Sequence, residues 1–159
     1  MPWTPLDFGK KHRGKTLPQV LFTDPDWFFW ACENGVFDDH RAFLEEARLI
    51  HARSTSILIP QHEGELRVVE YVVHQPTGKF LRFDLVESNR PQEATSSTFR
   101  SEVINMSFPR AIAPYDKRGC RSLVKRLKYH LFGNESARMA KDRCEAFFDD
   151  LANFRESGE

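Results

Sequence analysis

The spacing of apolar residues changes twice along this chain, and each change narrows the folds open to it. In "DDHRAFLEEARLIHAR", Phe43, Ala47 and Ile50 recur at helical spacing with Leu44 beside them, leaving Glu45, Glu46 and Arg48 to face water. In "KFLRFDLVE" the period drops to two. Leu81, Phe83 and Leu85 point one way and Arg82 and Asp84 the other, as in a half-buried strand. In "KRGCRSLVKRLKYHLF" the helical period returns, with Cys120, Leu123, Val124, Leu127 and Leu131 on one stripe. Helices, then strands, then helices is an α+β order, without the alternating units of a doubly wound parallel sheet.

Local signals fill in the elements. Thr16 caps a short helix that tolerates Pro18 in its first turn. "TDPDWFFWACENG" starts a second helix, with Asp24 as N-cap, Pro25 at the first helical position, Asp26 near the positive end and Gly35 as terminator. Asp38 and Asp39 are expected to cap the third helix, which leaves His40 exposed. "ELRVVEYVV" and "KFLRFDLVE" form a hairpin across "HQPTGK", where Pro76 and Gly78 supply the turn. After the polar connection "SNRPQEATSST", "FRSEVINMSF" is a further strand with Ile104, Met106 and Phe108 on one face, and "TSILIP" begins the sheet. The expectation is an antiparallel sheet of three or four strands. Gly133 and Asn134 separate two final helices, the last with Ala140, Cys144, Phe147, Leu151 and Phe154 on its stripe. They predict an antiparallel helical hairpin. Residues 1–54 form a small helical segment with a basic hairpin. Residues 55–159 form the sheet and helical hairpin, packed as one unit with it.

With 159 residues, 14 of them Phe, the chain can bury a substantial core. No apolar run approaches the roughly 20 residues of a membrane span, and "MPWTPLDFGKK" lacks the form of a signal peptide. A cytoplasmic protein with no membrane partner is expected. Cys32, Cys120 and Cys144 are odd in number and far apart, which fits buried reduced thiols rather than a disulfide framework or zinc site.

The 23 basic and 23 acidic residues balance, so their distribution carries the information. "GKKHRGKT", from Gly9 to Thr16, satisfies the phosphate-loop pattern. A working loop needs a buried parallel strand before it and small residues that let the backbone approach phosphate. "MPWTPLDF" has two prolines and no such strand, and Lys10, Lys11, His12 and Arg13 crowd the variable positions. No apolar run ending in Asp supplies the second magnesium carboxylate, because Arg82 and Asp84 share the solvent side of "FLRFD". Nucleotide hydrolysis is rejected, and no cofactor is expected.

Read with its neighbours, the same stretch resembles the small C-terminal domain of exodeoxyribonuclease X and related short bacterial and phage proteins. Phe8, Gly9, Lys10, Gly14, Lys15, Asp24, Pro25, Trp27 and Trp30 fill its Phe-Gly-Lys, Gly-Lys and Asp-Pro-x-aromatic-x-x-Trp pattern, with one extra residue between the glycines. The resemblance covers residues 6–37. It implies a compact fold found beside nucleic-acid-processing domains, with Trp27 and Trp30 as framework residues. It brings no catalytic residues, and the exonuclease's acidic motifs are absent.

Two basic surfaces emerge as candidate sites. Lys10, Lys11, Arg13 and Lys15 share one tight turn without an acid among them. In the penultimate helix Arg118, Arg121, Lys125 and Lys128 share a face away from the apolar stripe, and Lys117 and Arg126 add to a run free of acids. These patterns point to a non-catalytic nucleic-acid-binding accessory protein of a bacterium or mobile element, with DNA ahead of RNA as partner. A protein-interaction module regulating a nucleic-acid machine is the alternative, with an exposed aromatic patch near Trp27 and Phe28. A metal-dependent nuclease is a further alternative, although Glu70, Asp84 and Glu87 lack its spacing, and His12, His40, His51, His62, His74 and His130 form no ligand pair on one helix. No catalytic or metal-binding residue is assigned.

Overall fold

Asp24 ends one helix and starts the next, so the first third of the chain folds as tightly linked helices. The computed structural model describes residues 2–60, 66–91 and 96–155. His62 and the middle of "SNRPQEATSST" lie outside these residues. Helix α1 (Leu17–Thr23) begins at Thr16, whose N–H donates to Gln19 Oε1 at 3.3 Å. Helix α2 (Pro25–Glu33) begins at Asp24, whose Oδ1 accepts from the Trp27 N–H at 3.3 Å. It ends before Gly35, which takes the left-handed φ of 66° that glycine adopts without a Cβ penalty.

Helix α3 (Arg41–Ser54) starts later than its sequence signals. Its N-cap is His40, and Asp38 and Asp39 stay exposed in the preceding turns without capping it. Those turns, closed by Asp38 N–H to Gly35 O and His40 N–H to Phe37 O, delay the helix to Arg41. His40 is half-buried because its ring lies flat on Phe8, with ring centres 3.9 Å apart. Glu46 is buried rather than solvent-facing, since its carboxylate accepts from the N–H and hydroxyl of Thr4 at 2.8 and 2.6 Å. A charge buried in this way is tolerable because both oxygens are hydrogen-bonded, and it ties the N-terminal strap to α3.

The strands form two antiparallel ladders. β2 (Arg67–His74) lies between β3 (Phe80–Glu87) and β4 (Ser96–Ser101), while β1 (Ile57–Leu58) pairs with β5 (Val103–Ile104) in a separate two-stranded ladder. "TSILIP" therefore does not open the main sheet. Nor does "FRSEVINMSF" run as one strand. Pairing is interrupted at Glu102, and Phe108 begins the short helix α4 (Phe108–Ile112), with Pro109 in its first turn. The Tyr71 hydroxyl accepts from the Asn105 N–H at 3.0 Å, and the Phe108 ring stacks on Tyr71. These contacts turn the chain where a regular strand would have continued.

Helix α5 (Lys117–Phe132) lies against β3, and α6 (Lys141–Asp149) lies against α1. Phe22 of α1 makes ring contacts with Phe132 of α5 and with Phe147 and Phe148 of α6. Phe148, absent from the predicted stripe, is fully buried. Leu151 is exposed because the α-helix stops at Asp149 and a 3-10 turn (Leu151–Asn153) follows. One hydrophobic cluster contains Trp3, Phe28 and Phe43 together with Ile57, Tyr71, Phe83 and Leu123, so the early helices share a core with the sheet and α5. Each such fully buried aromatic or aliphatic side chain contributes about 1.5–3 kcal/mol. The fold is α+β, and among the described residues no helix is long and apolar enough to cross a membrane.

The α5–β3 contact can be tested at Gly119. A Cβ there would lie 2.6 Å from the Phe80 Cβ and 2.7 Å from Asp116 Oδ2. Alanine favours a helix interior over glycine by about 1 kcal/mol, yet this collision should outweigh that gain. Gly119→Ala is expected to lower stability by about 1–3 kcal/mol, read as a lower urea midpoint at unchanged slope. A raised midpoint would mean that α5 is not held this closely to β3.

Candidate nucleic-acid interface

The crowding in "KKHR" is resolved by turning one residue inward. Leu6 N–H to Lys15 O and Gly14 N–H to Leu6 O, both 2.9 Å, close the loop, while Gly9 and Gly14 adopt left-handed φ values of 73° and 87°. His12 is buried, with Nε2 3.0 Å from Asp24 Oδ2 and its ring edge-on to Trp27. Lys10, Lys11 and Arg13 point out, and Lys15 is half-buried. No parallel strand delivers this turn, as every described ladder is antiparallel. The phosphate-loop setting is absent here.

Asp24 is the acid that the local sequence hides. Lys11 Nζ lies 2.8 Å from its Oδ2, and Arg13 donates to the Asp7 carbonyl at 2.8 Å. Burial by itself would raise the Asp24 carboxyl. Hydrogen bonds from His12 and Lys11, the Lys11 charge and the Trp27 N–H outweigh it and hold the group down to about 2. Part of the turn's positive charge is thus neutralised at its base.

The outer face of α5 is different. Its buried side carries Gly119, Leu123, Val124 and Leu127. At roughly 100° per residue, Lys117, Arg118, Arg121, Lys125 and Lys128 fall on one arc about 100° wide, outside the buried side and bordering it at Val124. None of the five has an ion pair among the described residues. Arg126 lies off the arc and is matched by Asp84 and Glu135 at 3.3 and 3.2 Å. Three of the five cations sit near the positive end of the helix, where Asp116 caps Gly119 N–H and also accepts from Phe80 N–H.

Tertiary packing brings the turn to this helix. Two adjoining depressions, of about 390 and 290 Å³, share Lys11, Asp26 and Lys117 in their walls, and Arg121 lines the smaller one. Lys10, Arg13 and Lys15 do not line either depression, and Lys125 and Lys128 continue the basic surface beyond it along α5. Sequence reasoning missed Arg110 and Trp30 here. Arg110 reaches Asp26 and Glu33 at 3.3 and 3.1 Å, a contact with no local signal. Trp30 is 41% exposed in the wall of the larger depression. Trp27 and Trp30 share a helix face by their spacing of three, whereas Phe28 is wholly buried. The expected exposed patch at Trp27 and Phe28 is corrected accordingly. Phe28 fills the core and Trp27 is half-buried against His12 and Phe37.

Two of the three carboxylates considered for a nuclease, Glu70 and Asp84, are engaged elsewhere, and Glu87 stands exposed. Buried Glu70 accepts from Arg100 Nε at 2.8 Å, and Asp84, opposite Glu70 in the sheet, meets Arg126 and His130. Burial, together with the Arg126 and Arg67 charges, pushes the His130 imidazole below its usual value despite Asp84. Burial raises the Cys32 and Cys120 thiols to about 11 and the Cys144 thiol to about 12, assisted by nearby carboxylates, which suits packing rather than nucleophilic chemistry. Among the described residues no group of three or more His, Cys, Asp or Glu is placed to hold a metal ion.

The Asp24 assignment has a pH signature. Its folded value lies below the ordinary 3.8, so its stabilisation is complete above about pH 4 and fades as the pH falls through about 2. Asparagine caps a helix as well as aspartate does, so Asp24→Asn isolates the charge. The variant should be about 2 kcal/mol less stable near neutrality, with the difference closing as acid protonates the wild type. Denaturant titrations at successive pH values measure this directly.

Comparison with protein-family models, curated proteins and solved structures gives no match.

Proposed function

We propose that this protein is a non-catalytic nucleic-acid-binding accessory protein that holds backbone phosphates along the outer face of α5. The observation that carries this reading is the arc of Lys117, Arg118, Arg121, Lys125 and Lys128, free of ion pairs and continuous with a groove that Lys11 also lines. Like charges gathered on one face repel one another and cost stability unless a polyanion is drawn to them. Lys10, Arg13 and Lys15 on the exposed turn supply peripheral contacts. The motif by which residues 6–37 resemble the exodeoxyribonuclease X small domain would, on this reading, set the chain beside nucleic-acid-processing domains.

Binding of this type weakens as salt rises, because each neutralised phosphate releases counterions. Replacing Arg118, Arg121, Lys125 and Lys128 with Glu leaves the core untouched, since all four lie outside the apolar stripe. The variant is expected to lose at least about 100-fold in affinity for labelled DNA at low salt. Its log–log salt dependence should flatten by about 3, at roughly 0.7–0.9 per lost contact. Fluorescence anisotropy across a salt series reads both quantities. Wild-type protein that binds neither strand nor duplex at low salt overturns the proposal, as does a variant with unaltered affinity.

A further inference from the structure

We infer that the nucleic acid taken by this groove is single-stranded, with an unpaired base against Trp30 and its phosphates on the surrounding cations. The inference rests on the nucleic-acid reading above and adds the strand class. Trp30 belongs to a helix whose Phe28, Phe29 and Ala31 are buried, yet its own ring is exposed beside Lys11, Lys117 and Arg110. A large exposed aromatic bordered by cations, of which Lys117 has no ion pair among the described residues, is poor packing for a free protein. It is the arrangement on which unstacked bases settle, because every base offers a π-face and the cations follow the backbone.

The charge layout within the groove selects the base rather than the phosphate for its interior. Asp26 lines both depressions and Asp24 the smaller one, and both remain tied to cations of the protein itself, Asp24 to Lys11 and Asp26 to Arg110. A phosphate pressed between them would meet two carboxylates. The amino groups of adenine, cytosine or guanine are donors and suit the Asp26 carboxylate, which lines the same depression as Trp30. Phosphates are then left to the rim, where Lys117 and Arg121 stand without ion pairs. A base can enter this way only when it is unpaired. The larger depression, about 390 Å³, is on the scale of a small-molecule pocket, and a duplex keeps its base faces stacked within. Further along the surface, Tyr129 is exposed on α5 with the Arg126 guanidinium 4.7 Å over its ring, a second platform bordering the same cationic arc.

The test compares one labelled mixed-sequence DNA strand, that strand annealed to its complement, and the RNA strand of the same sequence, all at equal salt. The DNA strand is expected to bind at least about ten-fold tighter than the duplex. Trp30→Ala should weaken strand binding by about 5- to 100-fold while changing duplex binding less than two-fold. Trp30→Phe, which keeps a stacking ring, should recover most of the affinity. Strand binding should quench tryptophan fluorescence in the wild type and far less in Trp30→Phe. Tight binding of the RNA strand supports the inference, because stacking and phosphate contact do not need the deoxy sugar. Duplex binding equal to or tighter than strand binding overturns it, as does a Trp30→Ala variant with unaltered strand affinity, and both leave the phosphate-binding reading standing. Failure of all three probes to bind at low salt overturns that underlying reading instead. A thermal melt of each variant establishes that it is folded.

Discussion

The Asp24 carboxylate is the contact around which the N-terminal third is organised. It closes α1 and caps α2, and it receives Lys11 and His12 from a turn twelve residues earlier. One oxygen takes the Trp27 N–H while the other takes the two basic side chains, so the group stays ionised down to about pH 2 even though burial opposes this. Because both helices hinge on this residue, the turn has one position relative to them. That position sets Lys11 beside Lys117 and Arg121. The same contact lowers the turn's own charge, so the groove is a mixed surface with acids in its walls and free cations at its rim.

A second set of charges holds the sheet and is unrelated to the groove. Asp84, Glu70 and Arg100 are cross-strand neighbours on β3, β2 and β4. Arg100 also donates to the carbonyls of Ser88 and Arg90, which draws the end of the β3 connection over the buried carboxylate. Glu70 is tolerable in this environment because Arg100 hydrogen-bonds its Oε2 and the Arg82 guanidinium lies 3.7 Å from its Oε1. Arg126 and His130 extend the row from the strand to α5. Acids that resemble a catalytic set in the linear chain thus serve to register strands and dock a helix.

Much of the fold is legible in the residues, with errors at particular places. The Asp24–Pro25 start of α2, the hairpin turn at Gly78 and the stop at Gly133 depend on a few neighbouring residues, and local chemistry decides them. Asp38 and Asp39 failed as caps because two successive turns placed His40 there instead. Glu46 is a surface residue by its helical position, but Thr4, more than forty positions away, supplies its hydrogen bonds. "TSILIP" has the composition of a strand, and only the available partner, β5, decided which ladder it joined. In the groove, Arg118, Arg121, Lys125 and Lys128 could be found as an acid-free run. Trp30 and Arg110 could not, since exposure and ion pairing depend on what packs nearby.

By itself the sequence determined the period of each element, the caps and glycine turns, and the clustering of cations along α5, because these follow from residues within a turn or two of one another. Tertiary structure decided which charges remained free. Lys11 and Lys117 are more than a hundred positions apart, and whether they reinforce each other or are neutralised depends on Asp24, Asp26 and the seating of α5 on β3. Coulomb energy falls with distance in space, not along the chain. A basic run in a sequence therefore becomes a binding surface only once folding has settled its neighbours.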